Sequence, residues 1–362
     1  MAKQRPKYDP DVLITPGEVL EDYLGALKMT QVDLSLRSGL TQKTISLIIK
    51  GKAPITAETA LKFEKVLGRP MHFWMKLESD YKEDLIRFNE KVKSESELEW
   101  LSRIPYAAMA KLGWVKGIKD KYSRLDEVKR FFGVASAETW KTVWEESQVA
   151  YRQAREGLKK PEAVSAWLRK GELEAGLTNY KVFNRNQFLA SLEIARTLTV
   201  LPAKKFVPRL KVLCENAGVA FVLIPELPGL RIYGATRWVG SPSVPLIQMN
   251  LRGKTTDLFW FTFFHEAGHL LKHGKKEVFL EGNDFCDERE AEADEFAREM
   301  LIPAQNYKKL LEMGRPTLRK IIDFANGLKL DPGIVVGRLQ KEGAIAYSVG
   351  NHLKTKLQWE LF

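Results

Sequence analysis

Through the first ninety residues, apolar positions recur every three or four residues between turn signals, the pattern of short amphipathic helices. Pro16-Gly17 opens an amphipathic run to Lys28, and Thr30 is placed to cap a second helix through Leu36. Ser38-Gly39 breaks that helix; Thr41 starts a third, which ends at Gly51. Thr56 caps a fourth, TAETALKFEKVLG, and a fifth is predicted from about Met71 to Val92. From Ser94 to about Val212, apolar and charged residues alternate at helical spacing, with no repeat or low-complexity tract. The texture then changes. VAFVLIP (219–225), LRIYGA (230–235) and VPLIQMNL (244–251) read as three strands separated by Pro/Gly turns. A long helix follows from about Thr255 to His273, then a short apolar stretch at Val278 to Leu280, and a helix from about Asp287 to Leu301 that stops before Pro303. More helices close the chain after the turn Asp331-Pro332-Gly333.

A chain of 362 residues accommodates two or three domains, and 44% hydrophobic with 28% charged residues is ordinary for a globular protein. The middle stretch holds five of the nine tryptophans (Trp100, Trp114, Trp140, Trp144, Trp167), so it is expected to bury a core of its own, not to act as a linker. The opening MAKQRPKYDP has no apolar stretch and predicts no signal peptide, and the longest candidate for a membrane span, Leu258 to Phe264, is too short and includes Thr262. Two isolated cysteines, Cys214 and Cys286, argue against a disulfide framework and fit a reducing cytoplasm. The formal net charge is +11. No acidic residue lies between Asp33 and Glu58, while 13 Lys or Arg face 5 Glu between Tyr151 and Lys211. Such a balance favours polyanions, or supplies a solubilising face.

The strongest chemical signal is FHEAGHLLKH, which sets His265, Glu266 and His269 in an HExxH pattern inside a predicted helix. Residues at i and i+4 share a helix face, so both imidazoles can bind one Zn2+ from a single element. Glu266 is the candidate proton carrier for zinc-assisted hydrolysis. A catalytic zinc needs a third protein ligand, and EAEADEFAREMLIP offers Glu290, with Asp294 one turn on to orient a ligand histidine. Glu292 is an alternative third ligand, because sequence does not settle the phase of that helix. Ala293 and Ala297 are small enough to let the two helices approach closely. His273, beside Gly274, reads as a cation at a helix C-terminus. Two core-facing histidines beside a solvated acidic helix is the other reading of the same residues.

In TQVDLSLRSGLTQKTISLIIKG (30–51), Leu34 and Leu36 are expected to begin a core, with Gly39 making the turn and Ile45 and Ile48 securing the second helix of a helix-turn-helix. That helix would expose Thr41, Gln42, Lys43, Thr44 and Ser46 towards base edges and phosphates, while Gln31, Lys50 and Lys52 suit the backbone.

Two resemblances extend this reading. The combination FTFFHEAGHLLKHG with EREAEADEFAREMLIP resembles the ImmA/IrrE metallopeptidases, a gluzincin-like group, over about 219–303. That resemblance implies His265, His269 and Glu290 as zinc ligands and Glu266 as the catalytic acid; it implies no oxyanion group, for which Tyr233 and His273 are candidates. The run from about residue 15 to 81, above all TISLIIKGKAPITAETA, resembles HigA-type antitoxins of the Cro/C1 class. This implies a dimeric repressor that binds a double-stranded DNA operator and a toxin or repressor partner. The module is only mildly basic for that class, with 11 basic against 8 acidic residues to position 70. The expected fold is mainly α with a small β-sheet (α+β): a five-helix helix-turn-helix domain (1–92), a helical middle region (93–212), a gluzincin-like metallopeptidase domain (213–310) and a C-terminal helical extension (311–362). The expected function is a cytoplasmic, antitoxin-like transcriptional regulator with a zinc-dependent endopeptidase that cleaves a regulatory or partner protein. The alternative is a non-catalytic antitoxin or repressor whose zinc domain senses metal or docks a toxin.

Overall fold

The structure, a computed structural model, describes residues 13–146, 160–176, 178–240, 242–273, 279–282, 288–314 and 316–359, with side chains omitted at 89–96, 145–146 and 279–282. The chain divides into two compact units, Met1–Ser96 and Glu97–Phe362.

The first unit contains helices α1 (Pro16–Ala26), α2 (Gln31–Ser38), α3 (Gln42–Ile49) and α4 (Ala57–Leu67), and most of α5 (Met71–Arg103), which runs on beyond the boundary expected at Val92. Threonines cap the first four: Thr15, Thr30, Thr41 and Thr56 each accept a backbone N–H of the first turn. Gly39 and Gly68 take left-handed backbone at the ends of α2 and α4, as helix-terminating glycines do. The core gathers Leu20, Leu24, Leu34, Ile45, Ile48, Phe63 and Trp74. Leu36 does not join it. It is 80% exposed, because two residues along a helix turn the side chain roughly 200° away from Leu34. Gly17 lets α1 approach the end of α3: a Cβ there would meet the Ile48 carbonyl oxygen at 2.2 Å. Buried Glu78 on α5 accepts the Ile55 N–H at 3.0 Å, tying α5 to the turn before α4.

In the second unit a four-stranded sheet separates two helical layers. The strands are β1 (Ala220–Leu223), β2 (Ile232–Val239), β3 (Val244–Met249) and β4 (Phe279–Gly282), in the order β1-β3-β2-β4. β1 runs parallel to β3, and β2 antiparallel to both β3 and β4. The fourth strand lies where the sequence showed only a short apolar stretch. Alternation along the strands serves two cores. Ala220, Val222, Ala235 and Leu246 face a tryptophan-rich layer from α6 (Tyr106–Lys111), α7 (Lys121–Phe132), α8 (Ala137–Trp140) and α9 (Pro161–Ala175). There Trp100, Trp140, Trp144 and Trp167 are buried, and Trp167 Nε1 donates to the Ile224 carbonyl at 3.1 Å. Of the tryptophans in the 93–212 stretch, Trp167 thus meets the chain at the end of β1, and the Trp144 ring lies 6.0 Å from the Arg237 guanidinium carbon of β2.

Phe221, Ile247 and Met249 face the other core. It is built by α10 (Arg185–Thr197), α11 (Ala203–Asn216), α12 (Thr256–Lys272), α13 (Glu288–Leu301), α14 (Ala304–Glu312), α15 (Leu318–Gly327) and α16 (Pro332–Lys341). Cys214 is buried here and its thiol is pushed up by burial, while Cys286 lies outside the described residues. Among the described residues no helix is long and apolar enough to cross a membrane.

Asp331 caps α16 by accepting the Gly333 N–H at 2.7 Å. Burial, with a smaller contribution from Asp257, raises its carboxyl from 3.8 to about 6. A carboxyl whose folded pKa is raised binds its proton more tightly when folded, so its stabilising contribution is complete below pH 3.8 and is lost as pH rises through about 6. Stability of this unit is expected to fall across that interval by on the order of 1–2 kcal/mol after allowance for partial solvent screening. Asp331→Asn, which keeps a capping oxygen, should flatten that slope in tryptophan-monitored denaturant melts at pH 4, 5 and 6.5. An unchanged slope would remove Asp331 as its source.

Candidate metal centre and DNA-facing helix

Helix α12 is apolar on nearly every side, so it runs through the core, and its histidines are drawn in with it. His265 is 2% exposed, His269 1% and Glu266 fully buried. Helix α13 packs antiparallel against it. Close approach is possible because Gly268 faces the Ala293 backbone, where a Cβ would come within 3.2 Å, and because Ala293 and Ala297 are fully buried without projecting. The approach brings Glu290 to both histidines: its carboxylate oxygens lie 3.1 Å from His265 Nε2 and 3.4 Å from His269 Nε2. The two Nε2 atoms are 2.9 Å apart. Among the described residues these three form the only group of His, Cys, Asp or Glu placed to share a cation.

The donor set fits zinc. Bonds of about 2.0–2.1 Å at tetrahedral angles place ligand atoms about 3.3 Å apart, and the observed edges bracket that value. Protonation states agree as well. Burial lowers His269 to about 4, outweighing the hydrogen bond to Glu290, so the ring is neutral. At Glu290 burial acts upwards, but the hydrogen bonds from His265 and His269 together outweigh it and bring the carboxyl down to about 2. Neutral imidazole and ionised carboxylate are the metal-binding forms.

Each histidine is also held from behind. His265 Nδ1 lies 2.9 Å from Asp294 Oδ1, which orients the ring with Nε2 towards Glu290 and His269. His269 Nδ1 lies 3.0 Å from His273 Nδ1, and His273 Nε2 lies 3.1 Å from Glu292. Glu292 is thus turned away from the three-donor cluster, and the sequence alternative that made it a ligand is not the arrangement seen. His273 forms the C-cap of α12, as expected, and also bonds His269. That position, behind the ring and away from Nε2, does not suit it to an oxyanion.

Glu266 projects towards strand β2. Thr236 Oγ1 donates to its Oε2 at 2.6 Å and to its carbonyl oxygen at 3.0 Å. Gly234 makes room for it: a Cβ at 234 would lie 2.4 Å from Glu266 Oε1. Neither residue was singled out from sequence. An isolated glycine inside the strand-like LRIYGA was the available signal, because such glycines mark a close approach. Tyr233, the other oxyanion candidate, is half-buried and lines a cavity one turn along α12.

In the first unit, Gln42 and Lys43 are exposed at the start of α3, as are Gln31, Lys50 and Lys52. Thr41 is exposed, but its hydroxyl caps α3 and lies 2.8 Å from that of Thr44, so both hydroxyls are already engaged. Thr44 and Ser46 are half-buried.

With this geometry in view, comparison with known proteins falls into two parts. Residues 20–74 match the family described as helix-turn-helix, and residues 236–339 the peptidase family described as IrrE N-terminal-like domain. The chain therefore carries a Cro/C1-type helix-turn-helix domain and an IrrE-like domain. No curated protein matches the chain. Among solved structures, an addiction-module antidote protein of the HigA family from Coxiella burnetii is 32% identical, covering 24% of this chain and 94% of that one, with a TM-score of 0.22. The antitoxin HigA of Pseudomonas aeruginosa, solved with the higBA promoter, is 23% identical over 24% of this chain and 95% of that one, with a TM-score of 0.22.

Metal uptake tests the cluster directly. The full-length protein is expected to bind one zinc ion per chain in equilibrium dialysis. Glu290→Gln should weaken binding at least tenfold, and Asp294→Asn by roughly 10- to 100-fold through loss of the ring's support. Undiminished affinity in Glu290→Gln would show that these donors do not hold the ion.

Proposed function

We propose that this protein is a DNA-bound regulator that hydrolyses a peptide bond in a regulatory or partner protein, using zinc held by His265, His269 and Glu290. The convergence of those three donors beside buried Glu266 carries the reading. Zinc held there would supply Lewis acidity and lower the pKa of a bound water. Glu266 takes the proton from the attacking water and returns it to the leaving amine. Thr236 holds Glu266 Oε2, which limits the carboxylate to one orientation, and Gly234 leaves the space that orientation needs. Asp294 on one side, and His273 with Glu292 on the other, keep both imidazoles aimed at a common point. The substrate is a partner repressor, a toxin or a segment of this chain.

Glu266→Gln preserves shape and metal affinity but removes the proton carrier. Co-expressed with its neighbouring open reading frames, wild type is expected to generate cleavage products that this variant does not. Gly234→Ala should lower cleavage at least tenfold by displacing the carboxylate, while keeping its zinc. Identical products from wild type and Glu266→Gln would falsify hydrolysis and favour the reading in which the zinc domain senses metal or docks a toxin.

The DNA-binding part of the proposal places α3 in the major groove of an operator. Gln42 and Lys43 then face base edges, and Gln31, Lys50 and Lys52 face phosphates. A homodimer supplies the second half-site that so mildly basic a module requires. In gel-shift titrations with DNA upstream of the gene, Lys50→Ala and Lys52→Ala should each lower the salt dependence of log K by about one. Gln42→Ala should relax sequence preference and leave that slope intact. A salt slope unmoved by either lysine variant would place the phosphate contacts elsewhere.

A further inference from the structure

Helix α11 of the second unit divides sharply into two sides. Phe206, Val207, Leu210 and Cys214 turn into the core. Lys204, Lys205, Arg209 and Lys211 are exposed. At about 100° per residue these four cations share one arc of about 160°, and about 10 Å of helix axis separates Lys204 from Lys211. One carboxylate lies on the same arc, Glu215 in the last turn, and among the described residues no ion pair joins it to any of the four.

Other cations of this unit are neutralised by neighbours. Arg169 pairs with Glu172 at 2.7 Å and Lys170 with Glu174 at 2.5 Å on α9, while Arg298 and Arg338 each have a carboxylate at 3.0 Å. The 13 Lys or Arg against 5 Glu between Tyr151 and Lys211, with 11 basic against 8 acidic residues to position 70, account for the whole net charge of +11. Four charges of that excess stand together on α11 without a counter-ion. Like charges one turn apart repel, a cost that a bound polyanion removes.

The geometry selects among polyanions. Insertion into a membrane surface needs an apolar helix face, and that of α11 is already spent on the core. An extended polypeptide offers about three charges over 10 Å even if every residue is acidic. A DNA duplex presents about six over the same length. Flexible side chains on an open convex face, with no groove, suit a regular backbone read by charge alone. The helix-turn-helix unit of the same chain, when it holds DNA, also raises the concentration of duplex around the second unit.

We propose that the exposed face of α11 is a second, sequence-independent contact for the phosphate backbone of duplex DNA. The preference for DNA over another polyanion rests on the DNA-binding reading of the first unit; the cationic face itself does not.

The test measures binding of the full-length protein to a fluorescent 30-base-pair duplex of scrambled sequence by anisotropy, across a series of salt concentrations. A variant combining Lys204→Gln, Lys205→Gln, Arg209→Gln and Lys211→Gln is expected to bind at least tenfold more weakly at about 0.1 M salt, with the slope of log K against log salt reduced by about three. All four positions are exposed, so its unfolding temperature should match that of wild type. Arg209→Gln alone should lower the slope by about one. A control removes four exposed cations of α14 and α15 instead, Lys308→Gln, Lys309→Gln, Arg319→Gln and Lys320→Gln, and should bind nearly as wild type. Lys50→Ala and Lys52→Ala address α3 only: the loss caused by the α11 changes is expected to persist in their background, whether or not α3 reads an operator. Equal weakening by the α11 and control variants would reduce the effect to net charge and overturn the proposal. So would an unchanged slope in the α11 variant, or displacement of the duplex by polyglutamate as readily as by unlabelled duplex.

Discussion

The close approach of α12 and α13 is the constraint on which the candidate metal centre depends. Two imidazoles on one helix and a carboxylate on another converge only if the helix axes come nearer than ordinary side chains allow. Gly268, Ala293 and Ala297 make that possible by having almost nothing to interpose. Once the helices are in place, electrostatics follows from burial. His269 loses solvent and stays neutral, and the Glu290 carboxylate stays ionised because two ring nitrogens hold it. Packing thus sets His269 and Glu290 in the protonation states that a cation requires.

The sheet gives that centre its rigid floor. Strand β2 offers Gly234 and Thr236 to Glu266 on one face and Ala235 to the tryptophan-rich core on the other. Residues of the 93–212 stretch therefore back the strand against which Glu266 rests. Trp167, bonded to the Ile224 carbonyl just beyond β1, belongs to the same support. In the proposed hydrolysis Glu266 gains from such a backing, because a displacement of an ångström is enough to lose alignment.

The helix-turn-helix unit is built on a different economy. Its helices are short and depend on threonine caps and on one compact core around Trp74, with Glu78 closing a turn from α5. Capping consumes the hydroxyls of Thr41 and Thr44, which leaves Gln42 and Lys43 as the exposed polar groups at the start of α3.

Much of this was legible along the chain, because periodicity, capping residues and glycine turns act locally. The mainly helical fold with a small sheet, the bounds of α12 and α13 to within a residue or two, the shared face of His265 and His269, and the value of small residues at 293 and 297 all follow from short-range rules. Tertiary structure decided what those rules leave open. It set Glu290, and not Glu292, beside both histidines, coupled the C-cap His273 to His269, put Leu36 in solvent, and set Gly234 and Thr236 against Glu266 across 30 residues of sequence. The physical reason is that spacing defines which residues share a face, whereas the direction that face points depends on the element packed against it.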